Sequence, residues 1–396
     1  MRKNFKYTVF ACYIGYVTQA IVVNFAPLLF LTFQRDYALS MGQVTLLITL
    51  NFLVQLTVDF LAANFVDRIG YRPCIVTAHV FSAIGLVGLA WLPGVLPPYA
   101  GLLTATVIYA IGGGLLEVMI SPIVEACPTD GKSASMSLLH SFYCWGVMAV
   151  VLISTVLFAM LGIENWWIVA CMWAVIPAVN SVIFTRVPIA PIVPEGRGMR
   201  VLELFKTKLF WILFLLMICS GAAELAMAQW ASAFAENGLK VSKTIGDLAG
   251  PCVFAACMGV GRIFHAKFAE KIDLEKYIVG CAVLCIFSYI IAIVPLGAVV
   301  NLIGCALCGI AVAVVWPGML SVSAVRCPMG GTAMFALLAV GGDIGCSVGP
   351  TLVGMVSGAF GDELKIGLAA AIIFPVLIIL GVGLLRKHAA GKKVSA

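Results

Sequence analysis

Four carboxylic acids stand inside long apolar stretches of this sequence: Asp59, Glu117, Glu224 and Asp343. His79 and His140 share that setting. An ionisable group among apolar residues is costly, so each is a candidate for chemistry. A desolvated carboxyl favours its neutral form, which brings protonation within reach of ordinary pH. Glu117 is the leading proton carrier on that ground. Asp343, flanked by Gly341, Gly342 and Gly345, reads either as a second coupling group or as a lock between closely packed helices. Glu224, close to Gln229 and Trp230, reads as a coupling group or as a ligand for substrate or ion.

The polar residues around these acids have their own spacing. Asn51, Gln55 and Asp59 fall at i, i+4 and i+8, which puts them on one helical face. A stripe of this kind in an apolar segment suits gating more than substrate contact. His140 lies about one turn before Tyr143 and Trp145. Its bland reading is a hydrogen-bonded structural histidine; its functional reading is contact with substrate or proton. Aromatic rings offer flat apolar platforms to a small ligand, and Trp230 and Trp316 are further candidates. Gln19 and Asn24 are the strong polar groups of the first apolar run. No nucleophile–base pairing appears, and the Cys305-x-x-Cys308 pair has no partner histidines, so an enzyme, a cofactor or a metal centre is not expected.

The elements that hold these residues follow from composition. The chain has 396 residues, 62% hydrophobic and only 11% charged. A water-soluble surface needs about 25% charge, so the solvent is mostly lipid. Twelve runs have roughly the 20 apolar residues that cross a bilayer: 8–33, 41–66, 74–92, 99–123, 135–161, 166–184, 209–234, 245–265, 277–293, 299–322, 332–360 and 364–385. Twenty Lys and Arg residues fall on the side of the termini and four on the other, which predicts both termini in the cytoplasm. The count places none of these cations mid-span. A buried anionic substrate needs a cation, so the reading favours a neutral or cationic one.

The sequence also repeats. Lys267–Val279 (KFAEKIDLEKYIV) echoes Asn64–Val76 (NFVDRIGYRPCIV) at a shift of 203, with Asp67 and Arg68 facing Glu270 and Lys271. The segment from Val187 to Lys208 carries prolines, glycines and bases and reads as a linker. The expected organisation is a six-helix bundle over 1–185, a linker over 186–208 and a six-helix bundle over 209–396. Parallel repeats about an axis normal to the membrane describe a known transporter architecture.

At this point the chain resembles the major facilitator superfamily. Asp67, Arg68, Gly70 and Arg72 match that family's loop signature, with Ala63 and Tyr71 departing from it. The resemblance implies an all-α membrane protein of two pseudo-symmetric six-helix bundles, and a latch role for Asp67 with its loop neighbours. A narrower resemblance, carried by Gly114–Pro122 and Leu139–Gly146, is to the fucose permease branch. It implies that Glu117 takes part in sugar and proton handling. That branch also uses an acid in its first helix, and this chain has none there.

The expected function is secondary active transport of a small neutral, sugar-like solute by symport with H⁺ or Na⁺, in the plasma membrane and as a monomer. The alternative is a proton-coupled efflux antiporter for lipophilic or cationic compounds. Antiporters of the superfamily carry a Gly-Pro motif in the fifth helix; this chain has Gly345-x-x-x-Gly349-Pro350 in the eleventh instead. A receptor or scaffold is disfavoured, because no soluble domain is evident.

Overall fold

The structure, a computed structural model, describes residues 5–128, 132–190, 199, 201–268 and 273–394. Every element among the described residues is helical. Twelve stretches among the described residues are long and apolar enough to cross a membrane: α1 (Lys6–Tyr37), α2 (Met41–Ala62), α3 (Tyr71–Val95), α4 (Pro98–Val124), α5 (Leu139–Leu161), α6 (Ile163–Arg186), α7 (Lys208–Gly238), α8 (Lys243–His265), α9 (Leu274–Ile293), α10 (Ala298–Ser323), α11 (Leu337–Ala359) and α12 (Leu364–Lys387). The protein is thus a multi-pass membrane protein. Phe60, Trp91, Phe264 and Phe287 are each more than half exposed, as expected of side chains whose solvent is hydrocarbon.

Local sequence explains the helix ends. Ser40 Oγ accepts from the Gln43 amide at 3.2 Å and Gln43 Oε1 accepts from the Ser40 amide at 2.9 Å, a reciprocal cap that starts α2. The same helix runs on to Ile69 and stops at Gly70, whose φ of +99° is left-handed and suits glycine. Several spans are not regular. In α1 the helix breaks after Asn24 into a tight turn at Ala26–Leu29 around Pro27. In α8 a wide π-type turn occupies Leu248–Cys252 around Pro251. Such turns inside long helices are frequent at functional sites.

Two compact units are present, one formed by Met1–Pro194 with Lys243–Ala255 and the other by Glu195–Ser242 with Ala256–Ala396. In the first, α3 and α4 approach so closely that a Cβ on Gly112 would collide with Ser82 and the Ala78 carbonyl. His79 is fully buried there. Its Nδ1 lies 2.8 Å from the Ile75 carbonyl and its Nε2 2.7 Å from Asn180 Nδ2. A carbonyl only accepts and an amide nitrogen only donates, so the ring is neutral with its proton on Nδ1. Asn180 Nδ2 also donates to the Ala11 carbonyl at 3.0 Å, tying α3, α6 and α1 together. His79 is therefore a structural histidine.

In the second unit α11 packs on α7, where Trp230 Nε1 donates to the Pro350 carbonyl at 2.9 Å. Asn301 Nδ2 donates to the Ile291 and Val294 carbonyls at the end of α9 and fixes the tight 9–10 turn. Glu275 accepts from Arg326 Nε at 2.8 Å and from Arg386 Nε at 3.1 Å, joining the ends of α9, α10 and α12. Beside it, Asp273 caps α9. Its carboxyl is held below the ordinary range by the Lys276 backbone amide first, and by the charges of Arg386 and Lys276.

A buried amide and carboxyl cluster as candidate functional site

The first unit gathers most of the polar residues singled out in the sequence. Asn51, Gln55 and Asp59 do share one face of α2, and all three are buried. Gln55 Nε2 donates to Asn51 Oδ1 at 3.0 Å. From α1, Gln19 Nε2 donates to Gln55 Oε1 at 3.0 Å and to Glu117 Oε2 of α4 at 3.2 Å. Gln19 is thus the joint of a chain running Asn51–Gln55–Gln19–Glu117. Both neighbours of its amino group are acceptors, so the orientation of the amide is dictated by them. Its carbonyl, Gln19 Oε1, is buried and accepts no hydrogen bond among the described residues.

Asp59 and Glu117 present carboxylate oxygens within 4.8 Å of each other. Two carboxyls this close disfavour double ionisation, and share a proton or hold a cation between them. The sequence reading assigned Asp59 to gating; the structure brings it to Glu117. The second acid of the pair therefore comes from α2, not from the first helix. Space for the cluster comes from α4: a Cβ on Gly113 would stand 3.1 Å from Gln19 Oε1 and 3.2 Å from Gln55 Cδ.

Aromatic residues adjoin the cluster. Tyr16 shares a hydrogen bond with Ser121 Oγ at 3.0 Å, one turn beyond Glu117. Its ring centroid is 5.3 Å from that of His140 and 6.5 Å from that of Tyr143. Next to them Tyr13 stacks on Phe142 with centroids 4.3 Å apart. Of these rings Tyr16 is buried, Tyr13, Phe142 and Tyr143 are partly buried, and His140 is exposed, as is Trp145 at 41%. Asn24 turns back on its own helix, its Nδ2 donating to the Ala20 carbonyl at 3.0 Å.

The second unit holds the other candidates. Glu224 is buried in α7, and the Arg262 guanidinium of α8 acts on it electrostatically. Arg262 Nε donates to the Ala313 carbonyl at 3.1 Å. Arg262, which the sequence reading counted with the loop after this helix, stands in the last turn of α8. Gln229 and Trp230 are buried at the end of α7, with the Trp230 donor committed to Pro350. Asp343 is buried on the glycine-rich face of α11, where the Trp316 ring covers Gly342.

Of the loop residues, Gly70 forms the turn already described. Arg72 forks onto the end of α6, Nη1 to the Phe184 carbonyl at 2.7 Å and Nη2 to the Val187 carbonyl at 2.8 Å. The side chains of Asp67 and Arg68, and the second repeat's Lys267, Glu270 and Lys271, lie outside the described residues.

Sequence reasoning missed one buried pair. Asp247 is fully buried and lies 3.1 Å from Lys243 Nζ. The spacing of the two, i and i+4, was visible, but a helix start at Ile245 left Lys243 in a loop.

With this geometry in hand, the comparisons agree on the class. The chain belongs to the Major Facilitator Superfamily, whose family model matches residues 9–350. Among solved structures it is similar to the D-xylose-proton symporter, at 12% identity and a TM-score of 0.79 over 96% of this chain and 97% of that one. It is likewise similar to a bacterial homologue of the human lysosomal transporter Spinster in an inward-facing, occupied conformation. That match has 15% identity, a TM-score of 0.75 and 98% of each chain covered. The E. coli fucose:proton symporter matches at 15% identity and a TM-score of 0.65, over 97% of this chain and 99% of that one. A search among curated proteins finds no match to the sequence.

Proposed function

We propose that this superfamily member is a secondary active symporter that moves a small neutral, sugar-like solute with a proton, or with Na⁺ in its place. The observation that carries the reading is the Asp59–Glu117 carboxyl pair, with Asp59 buried, Glu117 partly buried and Gln19 donating to Glu117, inside a helix bundle built for lipid. Two of the similar structures are sugar–proton symporters, which supports the same reading. Glu117 is the proton carrier and Asp59 its partner, with Asp343 as a further coupling group. Glu224, beside Arg262, suits ligation of substrate or ion. Gln19, Asn24, His140, Tyr143, Trp145, Gln229, Trp230 and Trp316 supply the polar and aromatic contacts to solute.

The protein works as a monomer in the plasma membrane, with both termini cytoplasmic and residues 186–208 linking two six-helix halves. Asn51, Gln55, Asp67, Arg68, Gly70 and Arg72 serve gating. Proteoliposomes loaded with a monosaccharide panel under an imposed pH or Na⁺ gradient test the reading. Glu117→Gln should abolish gradient-driven accumulation and retain solute exchange. Unaltered accumulation in that variant would refute the assignment, and accumulation of lipophilic cations against the gradient would favour the antiport alternative.

A further inference from the structure

The Lys243–Asp247 pair breaks three local rules at once. Lys243 opens α8, where a cation opposes the helix dipole. An i, i+4 pair is also weaker with the base N-terminal to the acid than in the reverse order. The pair is moreover buried, with the Asp247 side chain at 0% and the Lys243 side chain at 18% exposure, where desolvation offsets much of the attraction. Helix stability therefore does not account for it.

Its other contacts do. Lys243 Nζ donates to the Leu28 carbonyl, in the turn that interrupts α1. The same ammonium lies 5.7 Å from the centroid of the Phe158 ring in α5. Thr155, also of α5, donates from Oγ1 to Asp247 Oδ2 at 3.4 Å. One ion pair thus binds the start of α8 to the break in α1 and to a turn of α5. Two of the three helices so joined are irregular: α1 at Ala26–Leu29, and α8 itself at Leu248–Cys252 just beyond Asp247. Residues 243–255 also group with the first unit while the remainder of the helix, from Ala256, groups with the second.

We propose that Lys243 and Asp247 form a reversible clasp that holds the first turns of α8 shut against α1 and α5, on the membrane face opposite the termini. An ionic clasp suits a contact that must open, because each partner regains its hydration on release. An apolar contact of the same size has no such recompense. The π-type turn at Leu248–Cys252 supplies the hinge on which the segment swings.

Hydrogen–deuterium exchange of the full-length protein in lipid nanodiscs tests this. Lys243→Met or Asp247→Asn leaves one charge buried without its partner, so peptides over 25–32 and 243–252 should exchange about tenfold faster. Peptides over 80–105, in α3 and α4, should keep the wild-type rate. The double variant Lys243→Met/Asp247→Leu removes both charges and should return exchange toward wild type, a non-additivity that a general loss of stability does not produce. If a single variant does not fold, Thr155→Val takes its place, with an expected rise of about threefold. Wild-type exchange in the folded variants, or an equal rise in every segment, overturns the proposal.

Discussion

A single methyl group can test whether the amide chain serves coupling. In Gly113→Ala the new Cβ would stand 3.0 Å from Val22 Cγ1, 3.1 Å from Gln19 Oε1 and 3.2 Å from Gln55 Cδ. These are tighter than ordinary contacts, so Gln19 must give way by a few tenths of an ångström. Its bond to Glu117 is already 3.2 Å long, and such a shift takes it to the edge of hydrogen bonding. A hydrogen bond to a charged group contributes about 1.5–3 kcal/mol, so proton-driven accumulation should fall roughly tenfold to a hundredfold. The stability cost is smaller: over-packing costs about 1–3 kcal/mol, offset by about 1 kcal/mol of helix propensity. Gly280→Ala is the control. Nothing lies within 4 Å of its added Cβ, so it should gain about 1 kcal/mol, near 2 °C in melting temperature, with transport unchanged. Melting curves and pH-driven uptake in proteoliposomes read both quantities. A folded Gly113→Ala protein that accumulates solute like wild type refutes the claim that this chain serves coupling.

Arg72→Lys keeps the charge but reaches only one of the two α6 carbonyls; it should lose about 1.5–3 kcal/mol, read as a lower melting temperature. Asn180→Leu strands His79 Nε2 at a cost of about 1–3 kcal/mol, removes the second bond to the Ala11 carbonyl, and should destabilise the first unit in guanidinium or heat. Asp273 has a lowered value from an ordinary 3.8. Its contribution is complete above about pH 4 and is lost as pH falls through that lowered value. Asp273→Asn should therefore flatten the acid limb of the melting-temperature profile and leave neutral pH little changed.

The spans were legible because one property, a run of about 20 apolar residues, decides them. Breaks within spans were legible only as proline positions, Pro27 and Pro251, since the choice of turn depends on packing. The stripe Asn51–Gln55–Asp59 could be read from its period alone. Its junction with Gln19 and Glu117 could not, because α1, α2 and α4 are adjacent only after folding. Lys243 was left in a loop, and the nearness of Arg262 to Glu224 went unseen, for a common reason. Both lie near span ends, where a shift of two or three residues decides whether a base belongs to water or to a buried acid.

Glu117 and Glu224 meet different neighbours, and the difference bears on which acid can couple to a proton. Arg262 acts on Glu224 as a fixed positive charge, while its own Nε is committed to the Ala313 carbonyl. Glu117 faces an amide, which holds a donor and an acceptor on one group. When Glu117 gains a proton its oxygen becomes a donor, and Gln19 can answer by turning its free Oε1 toward it. Gln55 and then Asn51 can follow in turn, since each link of the chain is also an amide. A change of one proton is thereby felt on α2, three residues away from the carboxyl that took it, without any charge being left unpaired. That property belongs to amide chemistry and not to guanidinium chemistry, and it supports the proposal that Glu117 is the proton carrier.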